Sequence, residues 1–128
     1  MYIDTNYSNP DLGLIDEYAE AWSYYLIKAS ADLAIEQEAC PGTNETHYGD
    51  GITPNQTYKK DVDELIPHVE RMDWEGLREQ LKTTGIRNST LMALMPAETS
   101  AQISNSTNGI EPPRSYISIK QSKDGVLK

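Results

Sequence analysis

The chain has 128 residues, which is enough for one domain of ordinary size. A hydrophobic content of 38% with 8 Gly fits a globular chain rather than a disordered tail, although the absence of Phe thins the core. Eleven basic against 20 acidic side chains give a formal charge of −9, which excludes a nucleic-acid backbone binder that needs a basic face.

Asn9-Pro10-Asp11 is a helix-start signal, with Asn as cap, Pro at the first helical position and an acid in the first turn. Ile15, Tyr18, Trp22, Tyr25, Leu26, Ala29 and Leu33 then step by three and four. They predict one wide apolar face on a long helix that ends near Glu38, before Pro41-Gly42. Asp16, Glu17, Glu20, Asp32 and Glu36 fall largely on other faces and read as solvated charge. Residues 40–57 have loop composition, rich in Pro, Gly, Asn and Thr, and a short helix or turn is expected around Tyr58–Ile66. Asp73 caps a helix from Trp74 to Thr84, with Leu77 and Leu81 on one face and Gly85 as its stop.

Ser89 to Met95 is a mostly apolar run of seven residues, predicted as a strand buried on both faces, as in a parallel sheet. Pro96-Ala97-Glu98-Thr99-Ser100 follows it, and a helix is expected to start within Ala101–Asn105. Pro112 and Pro113 make residues 109–113 irregular, Tyr116–Lys120 alternates as a strand, and Lys123-Asp124-Gly125 is a turn before Val126-Leu127. The break after that apolar start reads as truncation.

Charge is distributed unevenly. Residues 1–80 carry 17 acidic and 5 basic side chains, whereas residues 81–128 carry 3 acidic and 6 basic. An anionic small molecule therefore belongs in the last third. The strand–loop–helix at 89–105 is where the chain can place one, since helix N-termini present free N–H groups and partial positive charge. Thr99 and Ser100 add hydroxyls, but spacing alone favours a plain cap, and Glu98 is awkward beside a phosphate.

Other candidates are weaker. A single cysteine, Cys40, excludes a disulfide framework and a multi-cysteine zinc site, and its place at a helix end reads as an inert thiol. His47 and His68 lack metal-ligand spacing, so no metal is expected in this chain. Glu98 and Glu111 could form an acid–base pair, and the Tyr24-Tyr25 pair reads as packing because Tyr25 lies on the predicted apolar face. There is no export signal or membrane span, so the five N-x-S/T triplets are chance and a cytosolic protein is expected.

From residue 74 the order of residues is specific. Trp74, two residues, Leu77, seven residues, Gly85-Ile86-Arg87-Asn88, three residues, Met92-Ala93, two residues and Pro96 resembles the signature of ribonucleotide reductase large subunits. Pro96 to Asn105 and Asn108-Gly109-Ile110-Glu111-Pro112-Pro113-Arg114 are similar to the bacterial and phage aerobic (class I) type. Ser118-Ile119-Lys120 and Ser122 to Gly125 carry the likeness on, and upstream so do Tyr24-Tyr25-Leu26, Lys28-Ala29-Ser30, Ala39-Cys40-Pro41, Asn44-Glu45-Thr46 and Thr57-Tyr58-Lys59-Lys60.

The resemblance implies an α/β fold, a partial segment of the ten-stranded α/β barrel that reduces ribonucleoside diphosphates by radical chemistry. The chain would divide into a long helix (1–40), a loop-rich part (41–72), a helix (73–85) and a strand, phosphate loop, helix and strand (86–128). The family's substrate-diphosphate loop maps onto Pro96, Ala97, Glu98, Thr99 and Ser100, with Ala97 where a Ser is common. The thiyl-radical cysteine, its Asn and Glu neighbours and the redox cysteine pair would lie upstream, and the tyrosine pair and C-terminal cysteines downstream. Cys40 aligns with none of them, so no catalytic residue is assigned here. The implied partners are the rest of the alpha subunit, a small subunit with a dinuclear metal and radical cofactor, and thioredoxin or glutaredoxin as reductant. A split-subunit piece and a stand-alone nucleotide-binding module are the alternative readings.

Overall fold

A computed structural model describes residues 12–65, 67–109, 120–122 and 125–127. They fall into two compact units, one within residues 11–92 and the other within 93–128.

The first unit is built on α1 (Leu12–Gln37), α2 (Pro54–Thr57) and α3 (Trp74–Thr84). The start signal of α1 at residues 9–11 lies outside the described residues. The helix ends where Glu38 turns left-handed, at φ 64°. Its packed face differs from the predicted one. Ile27, Ala31 and Ala34 are buried, together with Ser30 and Glu20, while Trp22 and Tyr25 stay 53% and 60% exposed. Ile15, Tyr18 and Leu33 are exposed too. Positions two apart lie about 200° apart around a helix, so the expected stripe lies roughly opposite the core. Small residues decide which side packs here. Ser30, Ala31 and Ala34 let the chain approach α1 closely, and Ile27 and Ala31 join Trp74, Leu77, Leu81 and Ile86 in one core. Tyr24, not Tyr25, packs inward, meeting Trp74 edge to face at 5.3 Å.

Helix α3 has the predicted bounds. The Asp73 carboxylate accepts the Gly76 N–H at 2.9 Å, and Gly85 donates to the Leu81 carbonyl at 2.8 Å. Gly85 has φ 72° and ψ −159°, a region essentially confined to glycine. A Cβ there would also lie 2.8 Å from the Ala39 Cβ. Between α1 and α3 the chain is less irregular than its composition suggests. Thr53 and Gln56 form a capping box on α2, and Lys60–Glu64 is a 3-10 turn.

The second unit holds α4 (Glu98–Ser104) and an antiparallel pair, β1 (Lys120–Ser122) with β2 (Gly125–Leu127), Gln121 opposite Val126. Residues 116–119 and 123–124, predicted as strand and turn, lie outside the described residues. The predicted strand at Ser89–Met95 is not formed: these residues are irregular, with Leu94 and Met95 exposed. A strand buried on both faces needs hydrogen-bonded neighbours on both edges, and among the described residues none pairs with it.

Candidate functional site

The segment leading to the candidate loop is anchored at its start. The Ile86 carbonyl accepts from the Cys40 N–H at 2.8 Å and the Thr43 hydroxyl at 3.1 Å. Ser30 accepts the Arg87 N–H on its carbonyl at 3.1 Å. Its buried hydroxyl accepts the Asn88 N–H at 2.8 Å and donates to the Asn88 carbonyl at 3.0 Å.

Within the second unit, Pro96 and Ala97 precede α4, and Glu98, Thr99 and Ser100 form its first turn, so the helix starts three residues earlier than expected. All five are exposed. Neither Thr99 nor Ser100 is the cap. Ala97 holds that position and brings no side-chain acceptor to the first-turn amides. The Ala97 carbonyl accepts the Ala101 N–H at 2.8 Å, and its N–H donates to the Asn108 carbonyl at 2.9 Å, closing residues 97–108 into one loop around α4. At the far end Asn105, at φ 51°, is the left-handed cap, and Ser106 returns its N–H to the Ala101 carbonyl.

Cys40, His47 and His68 belong to the first unit. Glu111 lies outside the described residues, so its pairing with Glu98 finds no geometry here. The His68 ring lies 5.3 Å from that of Tyr58, tilted by 55° to it, while His47 lines a cavity of about 500 Å³ with Asn44, Tyr48, Asp50 and Thr53. Glu45 and Asp50 give that cavity an acidic lining, the wrong sign for a diphosphate. Among the described residues no group of three His, Cys, Asp or Glu could hold a metal ion. The Cys40 sulfur lies 3.3 Å from the Thr43 hydroxyl and is partly buried. No helix among the described residues is long and apolar enough to cross a membrane.

Sequence reasoning missed Glu20. It reads as solvated charge but is buried: its Oε1 accepts the Arg71 N–H at 2.7 Å, the Met72 N–H at 3.1 Å and the Trp74 indole N–H at 2.9 Å. Its Oε2 accepts from the Arg71 guanidinium at 3.1 Å. Burial pushes its carboxyl up, but the Arg71 N–H, the Trp74 indole, the Met72 N–H and the Arg71 guanidinium together hold it below its ordinary value. Arg78 was missed as well. Its guanidinium meets Glu70 at 2.8 Å and the Thr53 hydroxyl at 3.2 Å, tying the α2 loop to α3.

Residues 5–128 match the family described as ribonucleotide reductase, barrel domain. The chain is 64% identical over 109 residues to ribonucleoside-diphosphate reductase 1 subunit alpha of Escherichia coli K12, covering 85% of this chain and 14% of that protein. Its counterpart in Salmonella typhimurium matches to the same extent. The alpha subunit of Enterobacteria phage T4 is 48% identical over 112 residues, covering 88% of this chain and 15% of that protein. The chain thus spans about one seventh of the length of these relatives, and over that span it belongs to the ribonucleotide reductase barrel-domain family.

Proposed function

We propose that this chain supplies the substrate-diphosphate loop of a ribonucleoside-diphosphate reductase alpha subunit, an oxidoreductase making deoxyribonucleoside diphosphates for DNA synthesis. The observation that carries this reading is the 64% identity to an enterobacterial subunit of that name, over 109 residues that run on into the candidate loop. In the full subunit the chain is a segment of the ten-stranded α/β barrel, with Ser89–Met95 becoming a strand once neighbours flank it. Pro96, Ala97, Glu98, Thr99 and Ser100 hold the substrate diphosphate. The N–H groups and hydroxyls of Thr99 and Ser100, in the first turn of α4, are the donors. Holding the diphosphate fixes the ribose against a radical cysteine supplied by another segment, so the contribution is positional.

The chain alone lacks the cysteines of the chemistry and is inactive. The full enzyme requires the small subunit with its dinuclear metal and radical cofactor, and thioredoxin or glutaredoxin as reductant, and it works in the cytoplasm. The exposed stripe Ile15, Tyr18, Trp22, Tyr25 and Leu33 supports a piece of a larger body over a stand-alone module.

In a full-length alpha subunit carrying this segment, Ser100→Glu places a second negative charge against the diphosphate. The expected result is a Michaelis constant for cytidine diphosphate raised at least about tenfold, the equivalent of roughly 1.4 kcal/mol of repulsion. An unchanged constant removes the loop from the substrate site.

A further inference from the structure

Asn105 ends α4 at φ 51° and ψ 48°, a left-handed conformation that asparagine tolerates and β-branched residues avoid. Helix α4 is short, and Ala101 is the one buried residue among the described residues 96–109, so its own turns stabilise it little. What holds it is a ring closed by main-chain atoms. The Asn105 and Ser106 N–H groups both reach the Ala101 carbonyl, and the Asn108 carbonyl takes the Ala97 N–H at 2.9 Å. Ser104 ties the turn to the helix. Its hydroxyl donates to the Ser100 carbonyl at 2.8 Å and lies 2.9 Å from the Ser106 hydroxyl. The return path has little slack. At about 1.5 Å per residue, the helix carries the chain about 10 Å from Ala97 to Ser104. The four residues Asn105 to Asn108 bring it back, and at about 3.5 Å each they span about 14 Å at most. One more helical residue would leave three, about 10.5 Å long, to cover about 12 Å, and the ring could not close. Asn105 is therefore the last position at which α4 can stop.

We propose that Asn105 is a positioning residue for substrate binding: its left-handed turn closes residues 97–108 and so holds Thr99 and Ser100 in the arrangement that takes the diphosphate. This rests on the reading of residues 96–100 as the diphosphate loop. Every group involved belongs to the second unit. With the ring open, the Ala97 N–H loses its partner, and the entry to α4 is no longer tied to its exit. Substrate binds the closed fraction alone. Apparent affinity then falls by that fraction, while enzyme already closed on substrate reacts at its normal rate. A residue that merely helped the fold would instead lower the amount of active enzyme and leave the Michaelis constant alone. The contribution of Asn105 is its backbone conformation, which glycine can reproduce and valine cannot.

The test uses a full-length alpha subunit carrying this segment, assayed with its small subunit and reductant on cytidine diphosphate. Asn105→Val is expected to raise KM roughly tenfold with kcat within about twofold, because a left-handed turn disfavours such a residue by about that factor. Asn105→Gly removes the amide and keeps the turn, so KM is expected to stay within about twofold of the native value. Asn105→Ala is expected between the two, and its KM against that of Asn105→Gly carries the test if Asn105→Val fails to fold. A folded Asn105→Val with unchanged KM, or with kcat reduced and KM unmoved, overturns the proposal. So does an Asn105→Gly enzyme whose KM rises as far as that of Asn105→Val, since the amide and not the turn would then matter. Ser100→Glu is the companion: if it raises KM while Asn105→Val does not, only the role of the turn is lost. If Ser100→Glu has no effect, the loop assignment falls and takes the role of Asn105 with it.

Discussion

At the scale of single residues, the carboxylate of Glu20 shows how far a charge can depart from its apparent place. It collects three N–H donors and a guanidinium from residues 71–74, which fixes the entry to α3 against α1. Removing it in Glu20→Ala leaves those donors buried or half-buried without an acceptor, a loss of about 3 kcal/mol or more in denaturant unfolding. The same geometry sets an acid dependence. The folded carboxyl titrates below its ordinary 4.5, so its stabilisation is complete above that value and is lost as pH falls through the lowered one. Unfolding midpoints measured between pH 7 and 3 should therefore drop more steeply for the native chain than for Glu20→Gln, and parallel curves would contradict the assignment. None of this is legible in the sequence, where one acid among many on a helix looks solvated and its partners lie more than 50 positions away.

At the scale of elements, legibility follows how local the determinants are. Helix α3 is readable at both ends because Asp73 and Gly85 act within one turn of the residues they cap. Gly85→Ala tests the second of these. It forces a side chain into a glycine-only conformation and against Ala39, and should lower the unfolding free energy by about 2 kcal/mol in urea titration. A change below 0.5 kcal/mol would mean the turn relaxes freely. The capping box of Thr53 and Gln56 is an equally local signal, complete within one turn. The start of α4 was not legible, since Ala97 caps it without a side-chain bond. Ser89–Met95 fails for a different reason. An apolar run of seven residues reads as a strand buried on both faces, but a ladder is a property of pairs that one segment cannot express alone.

At the scale of the whole molecule, α1 is apolar on two sides and has a core on one. Its packed side meets Trp74, Leu77 and Leu81 of α3, while Trp22 and Tyr25 face outward. A contiguous aromatic stripe of this kind is sticky in isolation. The 128-residue chain should associate as its concentration rises in sedimentation velocity, and Trp22→Glu with Tyr25→Glu should return it towards monomer. A native chain that stays monomeric throughout would show that the stripe is too dispersed to act. The sequence did reveal the stripe and its helical period, but not which side the core would choose. That choice rests on small residues such as Ser30, Ala31 and Ala34, which hydropathy ranks low and close packing favours.

The anchoring of residues 86–88 on α1 also has a meaning in time. A ribosome releases α1 roughly fifty residues before it releases Ile86, the last fully buried member of the core. At about 5–20 residues per second, that leaves the helix a few seconds with both apolar sides bare. During this interval the growing chain is most exposed to aggregation and has most use for a chaperone. The arrival of Gly85-Ile86-Arg87-Asn88, with bonds to Ser30, Cys40 and Thr43, closes it on one side.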